Sequence, residues 1–233
     1  MGLDKLDRTC RGEKNRLMKT RQIAVAALLG ALGAALPILP GFAEDPKPND
    51  TTAAPQMSDA EMMNKMMELS KLNENHKLLA QLEGTWSYTV KMWMAPDAPP
   101  MTSKGTAVRK PLMDGRYFLL NVTGEMKMPG ADGKMKDFEF KGMSIEGYDN
   151  VQKKFVGTWS DNMGTGIMMS TGTYDPGTKT FTYNSEMEIM PGMKMKVREV
   201  LKIVDADHHN FEWYEDRGGQ EVKTMEINYT RKK

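Results

Sequence analysis

The stretch Leu82-Glu83-Gly84-Thr85-Trp86 separates two parts of the chain that have different sequence patterns. Before it, apolar residues recur at the spacing of a helix, and after it they alternate with polar residues as in a half-buried strand. Glycine often ends a helix because it adopts a left-handed backbone without steric cost. Gly84 is therefore predicted to end a helix, and Thr85-Trp86 to begin the first strand of a sheet.

Residues 58–83, before this boundary, are predicted to be helical. Ser58-Asp59-Ala60-Glu61 has the form of a capping box, in which Ser58 and Glu61 satisfy each other's free backbone amides. The sequence Asn73-Glu74-Asn75 either interrupts the helix or caps a second one. We expect the apolar stripe to pack on its own domain, with a partner or a membrane surface as the alternative. The stripe begins with Met62, Met63, Met66, Met67 and Leu69.

Residues 84–233 are predicted to form a β-barrel. Nine clusters of turn-forming residues separate about ten segments that are rich in aromatic and β-branched residues. Strands joined by such short links favour an antiparallel up-and-down meander, which removes its exposed edges by closing on itself. A β-sandwich is the competing fold. The predicted strands are 86–94, 106–112, 116–126, 138–148, 155–160, 167–174, 180–189, 195–204, 210–215 and 221–231.

Residues 1–43 have the features of a cleavable signal peptide. A basic region precedes an apolar, alanine- and leucine-rich run, and small residues follow at 41 and 43. Met18 is a second candidate start, and an uncleaved membrane anchor is the alternative. Residues 44–57 are proline-rich and polar, which indicates a disordered tether. We therefore expect a secreted or periplasmic protein without Cys10, the only cysteine, and without membrane attachment after cleavage.

The composition and motifs exclude several functional classes. A formal net charge of +1 gives no electrostatic case for nucleic-acid binding. The sequence contains no motif for a phosphate-binding loop, a dinucleotide-binding site or a metalloprotease helix. It also lacks serine, histidine and aspartate in the order of a known catalytic triad. No cofactor is expected, and the oligomeric state stays open.

Gly84-Thr85-Trp86 resembles the opening of the first strand in the calycins, which include lipocalins, fatty-acid-binding proteins and nitrobindins. This resemblance implies that Trp86 plugs one barrel end below a short closing helix. It also implies that a basic residue of the last strand lies across the tryptophan, and Arg231 is the matching residue. Cation–π stacking and hydrogen bonds to carbonyls at the helix end are the physical reasons for this arrangement.

A more specific resemblance covers nearly all of residues 74–233. The motifs resemble those of the bacterial family catalogued as domain of unknown function 1579, which implies a calycin-like barrel with no established activity. The matching motifs are His76-Lys77-Leu78-Leu79, Gly84-Thr85-Trp86, Gly115-Arg116-Tyr117, Gly147-Tyr148-Asp149-Asn150, Thr158-Trp159-Ser160-Asp161-Asn162-Met163-Gly164-Thr165-Gly166, Gly172-Thr173-Tyr174-Asp175 and Arg198-Glu199-Val200.

The candidate binding residues are those predicted to face the barrel interior or its mouth. Strand parity places Glu199 on an apolar face, where a carboxylate needs a partner. Arg109 or Arg116 would supply that partner and would anchor a polar ligand head group. The alternatives are a purely structural ion pair and a Glu199 that faces outward after a bulge. Asp161 ends the predicted strand that contains Trp159. The glycine-containing loop that follows is predicted either to gate a cavity or to form a plain turn.

These residues support three functional hypotheses. The first is a barrel that binds a small apolar or amphipathic ligand in its interior. The second is a cavity enzyme in which Glu199 and either an arginine or Asp161 perform acid–base chemistry, although an enzyme is the less expected outcome. The third is Cu(I) binding by thioethers, because methionine is unusually frequent; adaptable apolar packing is the competing explanation. The candidate metal ligands are Met187, Met190, Met193 and Met195.

The chain has three histidines. We expect His76 to cap or pack the helix before Gly84. His208 and His209 lie in a predicted turn among acidic residues, where a solvated loop pair is expected. No histidine is predicted on an inward-facing strand, as a nitrobindin-like haem site would require.

Overall fold

The structure is a computed structural model that describes residues 57–95 and 98–233. The predicted signal peptide and all but the last residue of the predicted tether lie outside the described residues. Part of the first predicted turn, residues 96–97, also lies outside them.

Ten antiparallel strands form a closed barrel, as predicted. Each strand pairs with its neighbours in sequence, and β1 pairs with β10 to close the sheet, with Trp86 opposite Arg231. The sandwich alternative is therefore wrong. The strands are β1 (Gly84–Met92), β2 (Met101–Leu112), β3 (Tyr117–Pro129), β4 (Met135–Asp149), β5 (Lys154–Asp161), β6 (Met168–Asp175), β7 (Thr180–Met190), β8 (Met193–Ile203), β9 (His208–Arg217) and β10 (Gln220–Arg231).

Two helices precede the barrel, α1 (Asp59–Leu69) and α2 (Glu74–Ala80). The predicted capping box at Ser58 and Glu61 is confirmed, and Asn73 begins α2 by accepting a hydrogen bond from the Asn75 amide. The interruption at residues 73–75 therefore separates two helices. Within residues 57–95 and 98–233, neither helix has the length and apolar character needed to cross a membrane.

Helix α1 differs from the prediction because none of its residues is buried. Its four methionines are all exposed, from Met62 at 49% to Met66 at 60%. The expectation that the whole stripe packs on its own domain is wrong for α1. Helical periodicity identifies an apolar face, but it does not show whether the same chain covers that face.

Helix α2 and the turn that follows it close one end of the barrel. Leu79 and Leu82 are buried in a cluster with Phe118, Phe155 and Phe181, which lie near the ends of their strands. We call this the helix end. The opposite end, where the β3–β4 and β7–β8 hairpins turn, is called the mouth.

Candidate functional site

The barrel encloses a cavity of about 520 Å³ that extends from the helix end to the mouth. This volume lies within the range of about 300–1,000 Å³ that is typical of sites for small molecules. Most of the lining is apolar or aromatic. Leu79 and Leu82 form part of it at the helix end, and Met126 and Met187 are near the mouth.

Small residues on the inner faces of the strands leave this space open. Ser144, Gly157 and Ser170 all line the cavity, on β4, β5 and β6. Gly142 has a different role, because a Cβ atom there would lie 2.5 Å from the ring of Trp159. Glycine at 142 therefore allows the indole to lie flat against the cavity wall.

A buried ion pair crosses the inner surface of the barrel. Arg109 on β2 donates from Nη2 to Oε1 of Glu146 on β4 at 2.8 Å, across the intervening strand β3. The Arg109 side chain is 4% exposed, and its Nε has no hydrogen-bond partner. A buried N–H group without a partner is costly, and this one belongs to a residue that lines the cavity.

Glu199 on β8 lies close to this pair and faces the cavity. Burial raises the pKa of Glu199 to about 7, and the nearby Glu146 carboxylate adds to the increase, whereas a hydrogen bond from Ser170 opposes it. Its Oε1 atom has no partner. Arg109, one of the two expected partners, is paired with Glu146 instead. Glu199 is therefore a carboxyl group that changes its protonation near neutral pH.

Arg116, the other expected partner, lies outside the barrel. It is exposed, and its guanidinium donates to the carbonyl of Ser70, just after α1. A tight turn precedes it, in which Asp114 has a φ of 60°, and strand β3 begins only at Tyr117. The prediction started this strand one residue too early, and Arg116 does not line the cavity.

Trp159 and Asp161 lie together near the mouth. The indole Nε1 of Trp159 donates to Oδ2 of Asp161 at 2.8 Å, and Oδ1 of Asp161 accepts from the Met163 amide at 2.9 Å. The Asp161 carboxylate thus fixes both the tryptophan and the start of the loop that follows β5. Both residues line the cavity, as part of its outer half.

The structure does not bring Asp161 and Glu199 together. The pairing register runs laterally from Glu199 through β7 and β6 to Phe155 on β5. Asp161 is six positions further along β5 toward the mouth. At about 3.3 Å per residue, the displacement along the strand is about 20 Å. The two Asp161 carboxylate oxygens accept hydrogen bonds from Trp159 and the Met163 amide, so Asp161 is bonded within its own strand and loop.

The helix end is tightly bonded around Trp86. Its Nε1 donates to the Leu82 carbonyl at 3.0 Å, and the Arg231 guanidinium lies 4.1 Å from the centre of its ring. Arg231 also donates to the carbonyls of Gln81 and Ala206. Gly84 has a φ of 124°, and a Cβ atom there would lie 2.6 Å from Arg231 Nη1.

His209 corrects the prediction of a solvated histidine pair. His208 is exposed, but His209 lies on the inner face of β9 and is 3% exposed. Its ring is edge-on to Trp86 at 4.3 Å and stacks on Tyr229 at 4.3 Å. Burial lowers its pKa to about 3, with further contributions from Arg109 and Arg231. The chain therefore has one inward-facing histidine, and aromatic rings pack against it at the helix end.

The four candidate metal ligands lie on the β7–β8 hairpin. Met187 lines the cavity and is opposite Met195 in the register, whereas Met190 is opposite Met193 beside the turn. Within residues 57–95 and 98–233, no group of three or more histidine, cysteine, aspartate or glutamate residues is arranged to hold a metal ion. His76, the remaining histidine, is buried in α2, and its Nδ1 accepts from the Asn73 amide.

Residues 71–231 match the family model described as "Protein of unknown function (DUF1579)". The chain belongs to this family. The match spans the linker before α2, the helix itself and the whole barrel, so the domain of unknown function 1579 includes both the cavity and its closure. No curated protein matches the chain.

Three solved structures are similar to this DUF1579 chain, and the first of them supports the barrel fold. Rv2717c from Mycobacterium tuberculosis has a TM-score of 0.50 and 14% identity, over 70% of this chain and 100% of that one. A redesigned β-barrel has a TM-score of 0.30 and 18% identity, over 66% of this chain and 94% of that one. A DUF3598 protein of unknown function from Nostoc punctiforme has a TM-score of 0.23 and 8% identity, over 69% of this chain and 100% of that one.

Proposed function

We propose that this DUF1579 protein binds a small, mainly apolar ligand with one polar end inside its barrel. The observation that carries the proposal is the cavity of about 520 Å³, whose walls are mostly apolar. A barrel does not need such a space for its stability, because close packing of side chains would stabilise it more.

The polar end of the ligand is assigned to the inner part of the cavity. Arg109, Glu146 and Glu199 lie there within apolar surroundings, and two of them have atoms without a hydrogen-bond partner. Ligand sites characteristically combine an apolar lining with a few convergent polar groups that fix orientation. Glu199, whose pKa is about 7, both donates and accepts hydrogen bonds near neutral pH. A hydroxyl or carbonyl group on the ligand suits this environment.

The apolar part of the ligand is assigned to the space toward the mouth. Methionine and tryptophan side chains dominate the lining there. Thioether side chains are unbranched and polarizable, and they adapt to ligands of different shape. We therefore expect tolerance for the apolar part and selectivity for the polar end. The residues concerned are Met92, Trp93, Met94, Met126, Trp159, Met163, Met187, Trp213 and Met225.

Mass spectrometry of organic extracts from purified protein tests this proposal. Ser170 is 7% exposed and faces the cavity, whereas the next residue, Thr171, is exposed on the outer face of the same strand. We expect an apolar molecule in extracts of the wild type and of Thr171→Phe, and its loss from Ser170→Phe. Equal recovery from all three proteins would mean that the molecule does not occupy the cavity.

We also propose that the protein is exported. The support is the basic, apolar and small-residue order of residues 1–43. Cell fractionation followed by N-terminal sequencing tests this proposal. A mature chain that begins near residue 44 in the extracytoplasmic fraction is expected, and a cytoplasmic chain that retains residues 18–43 would contradict it.

A further inference from the structure

We infer that the β7–β8 hairpin forms a binding site for a soft monovalent cation, Cu(I), built from the thioethers of Met187, Met190, Met193 and Met195. This site is distinct from the polar groups in the inner part of the cavity. It lies at the mouth, on a single hairpin whose turn is Pro191-Gly192.

The strand register brings these side chains to one face. Met187 is opposite Met195, and beyond a bulge Met190 is opposite Met193. Residues directly opposite each other in an antiparallel pair project to the same side, with Cβ atoms about 4.5–5.5 Å apart. Met193 and Met195 are two positions apart on one strand, and they also share a face. Because Met187 lines the cavity, this is the inner face of the hairpin.

The charged residues of the hairpin occupy its other face. Glu186 is opposite Lys196 and Glu188 is opposite Lys194, and Lys194 forms an ion pair with Glu186 at 2.8 Å. The sequence alternates charged residues with methionine along both strands. Between the Glu186–Lys196 pair and the turn, the alternation leaves the inner face free of charged residues, and the thioethers are the sulfur ligands that it presents.

Exposure distinguishes these methionines from packing residues. Met190 and Met193 are 63% and 52% exposed, so they fill no core, although Met187 is partly enclosed by the cavity. A further thioether lies close by, because the Ser185 hydroxyl of β7 donates to the sulfur of Met168 at 3.3 Å. Thioethers are soft ligands that select Cu(I) over the harder divalent cations. A flexible set of them at an accessible edge provides a site that Cu(I) enters without a change of fold.

The experiment is a titration with Ag(I), a redox-inert mimic of Cu(I), followed by NMR of chains labelled at the methionine methyl carbons. Every protein carries Cys10→Ser, because a thiolate would compete for the ion. The test variant is Met187→Leu/Met193→Leu/Met195→Leu, which conserves side-chain volume. The matched control is Met62→Leu/Met63→Leu/Met66→Leu, which removes three exposed methionines of α1.

We expect saturable binding of Ag(I) by the background protein and by the control, with the methyl shifts confined to the hairpin methionines and Met168. The test variant loses the saturable site and keeps its melting temperature. Absence of saturable binding by the background protein would overturn the inference. Saturable binding that survives in the test variant would also overturn it, because the ligands would then lie elsewhere in the chain. A competition assay with a Cu(I) chelator under anaerobic conditions measures the affinity of the same three proteins.

Discussion

The two ends of the barrel use tryptophan in opposite ways. At the helix end, Trp86 is 2% exposed, donates to the Leu82 carbonyl and lies below Arg231. Toward the mouth, Trp159 is only partly buried, and it forms part of a cavity wall with its indole N–H bonded to Asp161. Both tryptophans line the cavity, but Trp86 is buried below the helix end, whereas Trp159 is partly exposed toward the mouth.

This difference assigns stability and binding to different parts of one barrel. The helix end combines close packing, hydrogen bonds to backbone carbonyls and a cation–π contact, and these features stabilise it. The inner cavity retains Arg109 and Glu199 atoms without partners, and the outer cavity is lined by adaptable methionines. Changes at the helix end should therefore affect stability, whereas changes in the cavity should affect binding more than stability.

The largest expected effect is the replacement of Trp86 by alanine. Removing a fully buried tryptophan creates a large cavity, and Trp86→Ala should lower the free energy of unfolding by about 3–5 kcal/mol. Urea denaturation measures the change. Trp159→Ala is the matched variant at the other end, with an expected loss of about 1–2 kcal/mol because its ring is already partly exposed. Equal losses from both variants would remove the proposed difference between the two ends.

The next effect concerns acid sensitivity at the helix end. His209 has a folded-state pKa of about 3, against 6.5 for an ordinary histidine. Between these values the unfolded chain binds a proton that the folded chain does not, so the contribution of His209 to stability falls as pH decreases below 6.5. His209→Phe keeps an aromatic ring and removes this contribution, which amounts to about 1.4 kcal/mol per pH unit. His208→Phe, at an exposed position, should retain the acid sensitivity of the wild type.

Glu199 should produce a pH dependence of the opposite sign. Its folded-state pKa is about 7, against 4.5 for an ordinary glutamate, so the folded chain binds the extra proton between these values. The contribution of Glu199 to wild-type stability should therefore fall as pH rises from 4.5 to 7, which opposes the contribution of His209. Glu199→Gln removes this penalty and should be more stable than the wild type above pH 7, on the order of 3 kcal/mol. A stability difference that stays constant from pH 4 to 8 would show that Glu199 is not desolvated.

The smallest effect is expected for methionines of the outer cavity. Met126→Leu and Met225→Leu conserve volume and should each change the free energy of unfolding by less than about 1.5 kcal/mol. The fractional change in affinity for the ligand should exceed the fractional change in stability, because the branched side chain of leucine adapts less to the shape of the ligand than methionine does. Urea denaturation and ligand titration of the same samples separate the two effects. A loss of stability as large as that from Trp86→Ala would mean that the mouth is packed like a core.

The sequence predicted the fold well because its determinants are local. Turn residues at nine places defined ten strands, and the capping box defined the start of α1. Strand parity also placed Glu199 on the inner face, where the structure has it. In each case a short stretch of sequence carried the whole pattern.

The errors arose where a contact joins residues that are distant in sequence, or where a side chain's position depends on the exact residue at which a strand begins. Glu146 pairs with Arg109 across an intervening strand, and no local pattern encodes that pairing. Strand β9 begins at His208 and not at residue 210, and this shift moves His209 from a loop to the barrel interior. Helix α1 has the periodicity of a packed helix without a covering surface in the part of the chain that the structure describes.

A titration with the neutral fluorescent probe N-phenylnaphthylamine tests the central claim most directly. The wild type should show saturable binding with one probe per chain, and the organic extract should displace it. Thr171→Phe should bind as the wild type does, and Ser170→Phe, whose ring fills the inner cavity, should not bind. Failure of the wild type to bind, or equal binding by Ser170→Phe, would contradict the claim that this cavity is the functional site.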